Sequence, residues 1–397
     1  MDDANVVNHV SGYTLRTTTC KCPRPSSFLI PYGIMLAIEG IPLYYMELCI
    51  GQRMRKGSIG VWNEISPYLG GVGIASVVVC FLVCLYYNII IAWCVFYFVQ
   101  SFQSPLPWTT CPTREVWNGN MTVTVPVSTC DVSKPTEYFW YHTTLGITNS
   151  IEETGGMNWK LWGCLVATWL LCWICMMKGI RVTGKIVYLT ATLPLVLLII
   201  FFFRGVHLDG YQDGLRLLFV PEMSQGMGLA FIVFTDVITK MPYAPLWAVM
   251  FFLMLISVGI DTQFGMLEGV VTPILDMKIL PSWKKKHISG AISFILCILG
   301  FSMVTYSGAY WLDLIDAYCS GIPLLIIALV ECIAISYIYG IDRFSEDIQY
   351  MTNKPPRFIW KWCWKVISPL AILAVLSMSI KGMSERTPSY TVWDAEK

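Results

Sequence analysis

The sequence predicts an all-α membrane protein with about eight spans, and three observations carry that reading. Of 397 residues 55% are hydrophobic and only 13% charged, with a mean hydropathy of +0.59, far from the composition of a soluble domain. The apolar residues gather into runs long enough to cross a bilayer, which takes about 20 of them. The basic residues lie between those runs with a strong alternation. Net charge is +1, so no broad field recruits nucleic acid or an acidic partner.

The predicted spans run Phe28 to Ile50, Ile74 to Phe98, Leu161 to Met177, Ile186 to Phe203, Leu246 to Leu275, Ile288 to Tyr306, Leu312 to Ile338 and Cys363 to Ile380. A shorter apolar piece, Gly226 to Val237, is expected to lie at the surface or re-enter. Pro31, Pro42, Pro194, Pro323 and Pro369 fall inside runs. Spanning helices accept proline where neighbours satisfy the freed carbonyls. Most of the fifteen cysteines, Cys80, Cys84, Cys94 and Cys164 among them, sit in apolar runs and read as small core residues. Cys172 and Cys175 have CxxC spacing but stand mid-span, and read the same way.

Orientation follows from lysine and arginine in the loops. Fifteen cations, from Arg53, Arg55 and Lys56 to Lys361 and Lys365, follow the first, third, fifth and seventh spans; only six lie in the alternate loops. The first set should be cytoplasmic. The loop from Ser101 to Lys160 then faces outside, where Asn120 heads a glycosylation sequon and Cys111 and Cys130 are the two cysteines of the loop. An oxidising compartment favours their pairing. Eight spans also place the polar tail 1–26 outside, although it has no apolar run and no signal peptide to carry it there.

No catalytic constellation is present. The four histidines, His9, His142, His207 and His287, are scattered, and no HExxH, GxxxxGK[ST] or GxSxG occurs. The chain does not read as an enzyme. Acids inside the spans are more informative: Glu39, Glu47, Asp261, Glu268, Asp313, Asp316 and Glu331. Such residues usually face a cavity, a partner or an ion path. With no lysine or arginine in mid-span, their expected partners are protons, backbone amides or metal cations. In "SVGIDTQFG" the Val258 carbonyl, Asp261 and Thr262 stand at i, i+3 and i+4 on one helical face. Three oxygens converge there, one anionic, and suit a hard cation such as Na⁺ if a second element supplies the rest. The alternative is an Asp261 hydrogen-bonded within the bundle.

Four stretches carry a resemblance. "FLIPYGIMLAIEGIPLYYMELCIGQRMRKGSIGVWNEISPYLGGVG" resembles the second helix and first cytoplasmic loop of the neurotransmitter:sodium symporters, solute carrier family 6. "LYYNIIIAWCVFYFVQSFQSPLPW" is similar to the third helix, "GLAFIVFTDVITKMPYAPLWAVMFFLMLISVGIDTQFGMLEGVVTPILD" to the fourth outer loop and eighth helix, and "YWLDLIDAYCSGIPLLIIALVECIAISYIYG" to the tenth. The wording is nearest the neutral amino acid branch, and the likeness covers almost everything from Phe28 onward.

The resemblance implies a LeuT-like transporter fold and sodium-coupled symport of neutral amino acids. Val258, Asp261 and Thr262 match the eighth-helix ligands of the family's second Na⁺ site, and Tyr87 the tyrosine that contacts the substrate carboxylate. Tyr32 matches a Cl⁻ ligand of chloride-dependent members, Glu47 an acid that braces the broken helices, and Asp316 an acid of the outer gate. It also implies that the fold is incomplete. The family has twelve helices, and its helices 1, 6, 7 and 12 find no counterpart; the sixth and seventh would stand near Gln225. Eight remain, as the hydropathy reading has it, and the loss of helix 1 accounts for the stranded tail. Asp261 and Glu47 are then expected to lack the partners those helices supply.

The expected organisation is a tail 1–26, a region 27–225 resembling helices 2–5 with the outer loop 101–160, and a region 226–397 resembling a re-entrant outer helix and helices 8–11. Expected partners are a small neutral amino acid, membrane lipid, and a full-length transporter or accessory membrane protein. Plasma membrane is the expected location, with retention in the endoplasmic reticulum the alternative for a form that acts only through a full-length partner or is degraded.

Overall fold

The structure is a computed structural model, and it describes residues 29–117, 122–127, 129–130, 133–177, 180–207, 229–278, 282–319 and 321–385. The tail 1–26, Asn120 and Gln225 lie outside the described residues.

Among the described residues, eight helices are long and apolar enough to cross a membrane. They are α1 (Tyr32–Met54), α2 (Pro67–Gln100), α3 (Trp159–Met177), α4 (Tyr188–Val206), α5 (Ala244–Asp276), α6 (Lys285–Val304), α7 (Gly308–Thr352) and α8 (Phe358–Ser384). Each overlaps the span expected from hydropathy. The short apolar helix Ala230–Thr239 stands where the surface piece is expected. α7 is longer than its apolar run and not one straight rod: Gly308–Cys319 ends before Ile322–Ile333, which Pro323 opens near its N-terminus, where a missing N–H costs nothing.

Two hydrophobic clusters organise the bundle. The larger joins α2 to α3, α5 and α6 and to the outer loop. The smaller joins α1 to the second half of α7 and the start of α8. Both draw on residues from either side of position 225. α2 and α5 run antiparallel in close contact: Gln263 Nε2 donates to the Cys84 carbonyl at 3.2 Å. One turn away, a Cβ on Gly259 would stand 2.8 Å from Ile91 Cγ1. Glycine there lets two spanning helices approach where lipid supplies no hydrophobic drive.

In the smaller cluster the prolines have visible consequences. Pro42 cannot donate to the Ile38 carbonyl; Ser368 Oγ of α8 donates to it instead at 2.8 Å. Trp364 Nε1 donates to the Pro42 carbonyl at 2.7 Å. The two carbonyls before Pro369 are met in the same way, Trp364 O by Ser336 Oγ and Lys365 O by Tyr337 Oη, each at 2.9 Å. The backbone is a π-helix before each of these prolines, Leu36–Gly40 and Cys363–Ile367, and also over Ala334–Gly340, which supplies Ser336 and Tyr337. Such widened turns leave carbonyls out of register, and neighbouring side chains satisfy them as membrane burial demands.

The outer loop is structured. Strands Thr113–Trp117 and Thr122–Pro126 pair antiparallel, with Thr113 opposite Pro126 and Trp117 opposite Thr122. Cys111 and Cys130 are disulfide-bonded just outside that hairpin, which by itself would be marginal. Further on, Tyr306 N donates to Gly156 O and Asn158 N to Val304 O, both at 3.2 Å, strapping the loop onto the α6–α7 turn. Gly155, at φ +63°, is required there, since its backbone is left-handed and a Cβ would meet Thr148 Cγ2 at 2.5 Å.

His142 stacks on Tyr138 in this loop, with ring centroids 4.6 Å apart. Burial pushes its pKa below the ordinary histidine value. The unfolded loop therefore binds the proton more tightly than the folded one. Loop stability is full above about pH 6.5, the unfolded value, and falls as the pH drops through and below it. Hydrogen exchange of residues 133–158 should slow less between pH 7 and 5 than the intrinsic rate does, an excess over the intrinsic trend that reports the falling protection. His142→Gln should remove that excess; an identical pH profile in both proteins would contradict the assignment.

Candidate functional site

Val258, Asp261 and Thr262 lie on a face of α5 that the rest of the described chain leaves open. Val258 is 45% exposed, Thr262 is exposed and Asp261 half-buried. Thr262 Oγ1 donates to the Val258 carbonyl at 3.0 Å. This is the i to i−4 hydroxyl-to-carbonyl bond common to serine and threonine in helices, as Ser257 Oγ makes to the Leu253 carbonyl on the same helix at 2.8 Å. Asp261 Oδ1 accepts a hydrogen bond from Thr190 Oγ1 of α4 at 3.3 Å. The aspartate is thus hydrogen-bonded within the bundle, the alternative that the sequence left open, by a helix other than those the family resemblance finds missing. α4 packs on α5 at this depth and brings a hydroxyl that spacing along either helix does not reveal.

Tyr87 sits on α2 between Cys84, which receives Gln263, and Ile91, which abuts Gly259. On antiparallel helices those two contacts bracket Tyr87 at the height of Asp261. Its ring packs partly buried against the larger cluster. Tyr32, in contrast, is 52% exposed near the start of α1, on the side of the smaller cluster.

Glu47 meets a second acid: its carboxyl interacts with that of Glu331 on α7, and Glu331 is 8% exposed. Asp316 is half-buried on α7, one turn beyond Asp313. Glu268 departs from the expectation that no cation reaches the mid-span acids. It forms an ion pair with Lys285, because the first turn of α6 returns to the depth at which α5 ends.

The inner ends of α1 and α7 are tied by charge. Arg53 Nε meets Asp347 Oδ1 at 2.7 Å, and Tyr339 Oη donates to Asp347 Oδ2 at 2.5 Å. Sequence reasoning missed this tie, Thr190 and the Glu47–Glu331 contact alike. Glu47, Thr190 and Glu331 are polar residues in apolar runs, which flags them, whereas Arg53 and Asp347 lie beyond the runs; in every case only packing selects the partner.

A profile of the sodium:neurotransmitter symporter family matches residues 20–225 and 223–395, two segments that meet at 223–225. The chain is 34% identical to the mouse sodium-dependent neutral amino acid transporter B(0)AT1, over 94% of this chain and 79% of the relative. It is 33% identical to rat B(0)AT3, over 95% and 82%, and 33% identical to bovine B(0)AT2, over 95% and 71%. The aligned stretch with mouse B(0)AT1 spans 509 residues, longer than the 397-residue chain. That relative therefore holds a segment with no counterpart here. With the family profile covering nearly all of the chain on both sides of that break, the chain belongs to the sodium:neurotransmitter symporter family, in its neutral amino acid branch.

Proposed function

We propose that this chain carries half of the coupling machinery of a Na⁺-dependent neutral amino acid symporter, and that the internal break at 223–225 leaves it unable to transport unaided. In this reading the Val258 carbonyl, Asp261 and Thr262 are Na⁺ ligands, and Tyr87 meets the substrate carboxylate. Tyr32 takes Cl⁻, Glu47 braces the bundle and Asp316 belongs to the outer gate. The observation that carries the proposal is the open face of α5, where Val258 and Thr262 are exposed and Asp261, held by Thr190 of α4, is half-buried beside them. Three oxygens are about half of the six that a hard cation takes, so a second element must complete the shell. In symporters of this architecture broken helices supply it near mid-membrane.

The test is uptake of labelled leucine, proline and glycine by cells expressing the chain, with and without Na⁺, beside Asp261→Asn. The expected result is no Na⁺-dependent uptake above untransfected cells for either form. Robust uptake by the unmutated chain would overturn the incompetence; its loss in Asp261→Asn would still support the ligand assignment. Association with a full-length family member is the role that the open α4–α5 face favours. Co-precipitation with mouse B(0)AT1 and reduced uptake by that transporter are then expected. Glycan processing at Asn120 reads the location: endoglycosidase H resistance means passage to the plasma membrane, sensitivity means retention.

A further inference from the structure

The entrance to α8 has two faces of different character. Trp360 and Trp364 turn inward against Tyr45, with ring centroids 5.2 and 5.6 Å away. Phe358, Ile359 and Trp362 turn outward and are 72%, 67% and 49% exposed, and the Phe358 and Trp362 rings touch at 5.8 Å. Between these faces run Arg357, Lys361 and Lys365, at i, i+4 and i+8, on one stripe of the helix. Arg357 and Lys365 are exposed, while Lys361 reaches Asp342 at 3.3 Å. From Asn353 to Ser384 the chain holds no acid. Asn353 caps the preceding helix in a left-handed conformation, and Pro355 and Pro356 keep it from continuing, so Lys354 enters the same patch.

The charge asymmetry of the loops places this stripe at the cytoplasmic surface, where the leaflet is anionic. We propose that Arg357 and Lys365, with Lys354, form a binding site for the headgroup of an anionic phospholipid, and that Phe358 and Trp362 lie against its acyl chains. The aromatic rings suit the boundary between headgroup and hydrocarbon, and the cations stand one helical arc away, where the phosphate and carboxylate of a serine headgroup lie. Of the acids on the preceding helix, Asp342 is engaged by Lys361 and Asp347 by Arg53, and Glu346 is exposed. Arg343 stands over the Tyr339 ring at 4.7 Å.

The full chain, purified into nanodiscs of phosphatidylcholine mixed with phosphatidylserine, should retain phosphatidylserine through delipidation, as counted by native mass spectrometry. Retention should fall about fivefold for each cation removed in Arg357→Gln and Lys365→Gln, and should be unchanged in Lys278→Gln. High salt should release phosphatidylserine but not phosphatidylcholine from the unmutated chain, a readout that needs no variant to fold. Equal retention of both lipids, salt-independent retention, or equal loss in Lys278→Gln would overturn the site. Full displacement by inorganic phosphate at millimolar concentration would make it a phosphate site rather than a lipid site, and would overturn it as stated.

Discussion

Trp364→Ala is expected to destabilise the protein by about 3–5 kcal/mol, the range for emptying a buried aromatic position. Trp364 is fully buried and touches Tyr45, Phe344 and Trp360, at centroid distances of 5.6, 5.2 and 6.3 Å. Its Nε1 also satisfies the Pro42 carbonyl. The substitution opens a cavity where three spans meet and strands a carbonyl in a medium without water. Trp364→Phe should recover much of the packing and lose the hydrogen bond, a smaller cost of about 1–3 kcal/mol. The midpoint of thermal unfolding in detergent measures both. A drop for alanine no larger than that for Trp362→Ala, an exposed ring two residues away, would refute the central place given to this side chain.

Tyr97→Ala should have an effect of similar size by the same rule, with a different signature. Tyr97 is fully buried, with Phe252, Trp108, Phe231 and Phe139 around it at 4.9, 5.2, 5.2 and 5.3 Å. Two of those rings belong to the outer loop, one to the short helix Ala230–Thr239 and one to α5. Losing the tyrosine should therefore release the loop before the bundle: limited proteolysis from the outside should cut between 133 and 158 well below the global transition. Trp364→Ala should leave that loop intact. If both variants lose loop and bundle together, the two clusters do not unfold separately and this account of the architecture fails.

The contrast between these residues marks what could be read in advance. Neither Trp364 nor Tyr97 is distinguishable in the sequence from Trp362 or Tyr44, which are exposed, because in a span apolar residues cover both the lipid face and the core. The shared face of Val258, Asp261 and Thr262 was legible because the three residues belong to one helix, where spacing alone sets the face. Its neighbour Thr190 was not, nor was the pairing of Glu47 with Glu331. Those partners are hundreds of residues apart or on helices whose rotation the hydropathy pattern leaves free.

Sequence alone determined, among the described residues, the number and order of the apolar helices long enough to span, and it set the expected orientation, since a bilayer forces every spanning backbone into a helix of set minimum length and loop cations mark the expected inner side. It determined the family too, through motifs local to single helices. Only the tertiary structure decided which helices touch, and with that which acid meets a hydroxyl, a lysine or another acid. It also decided which carbonyls freed by proline find donors and which face of α5 stays open. The reason is physical: lipid is as apolar as leucine, so burial does not choose helix partners in a membrane, and close packing with a few polar contacts does.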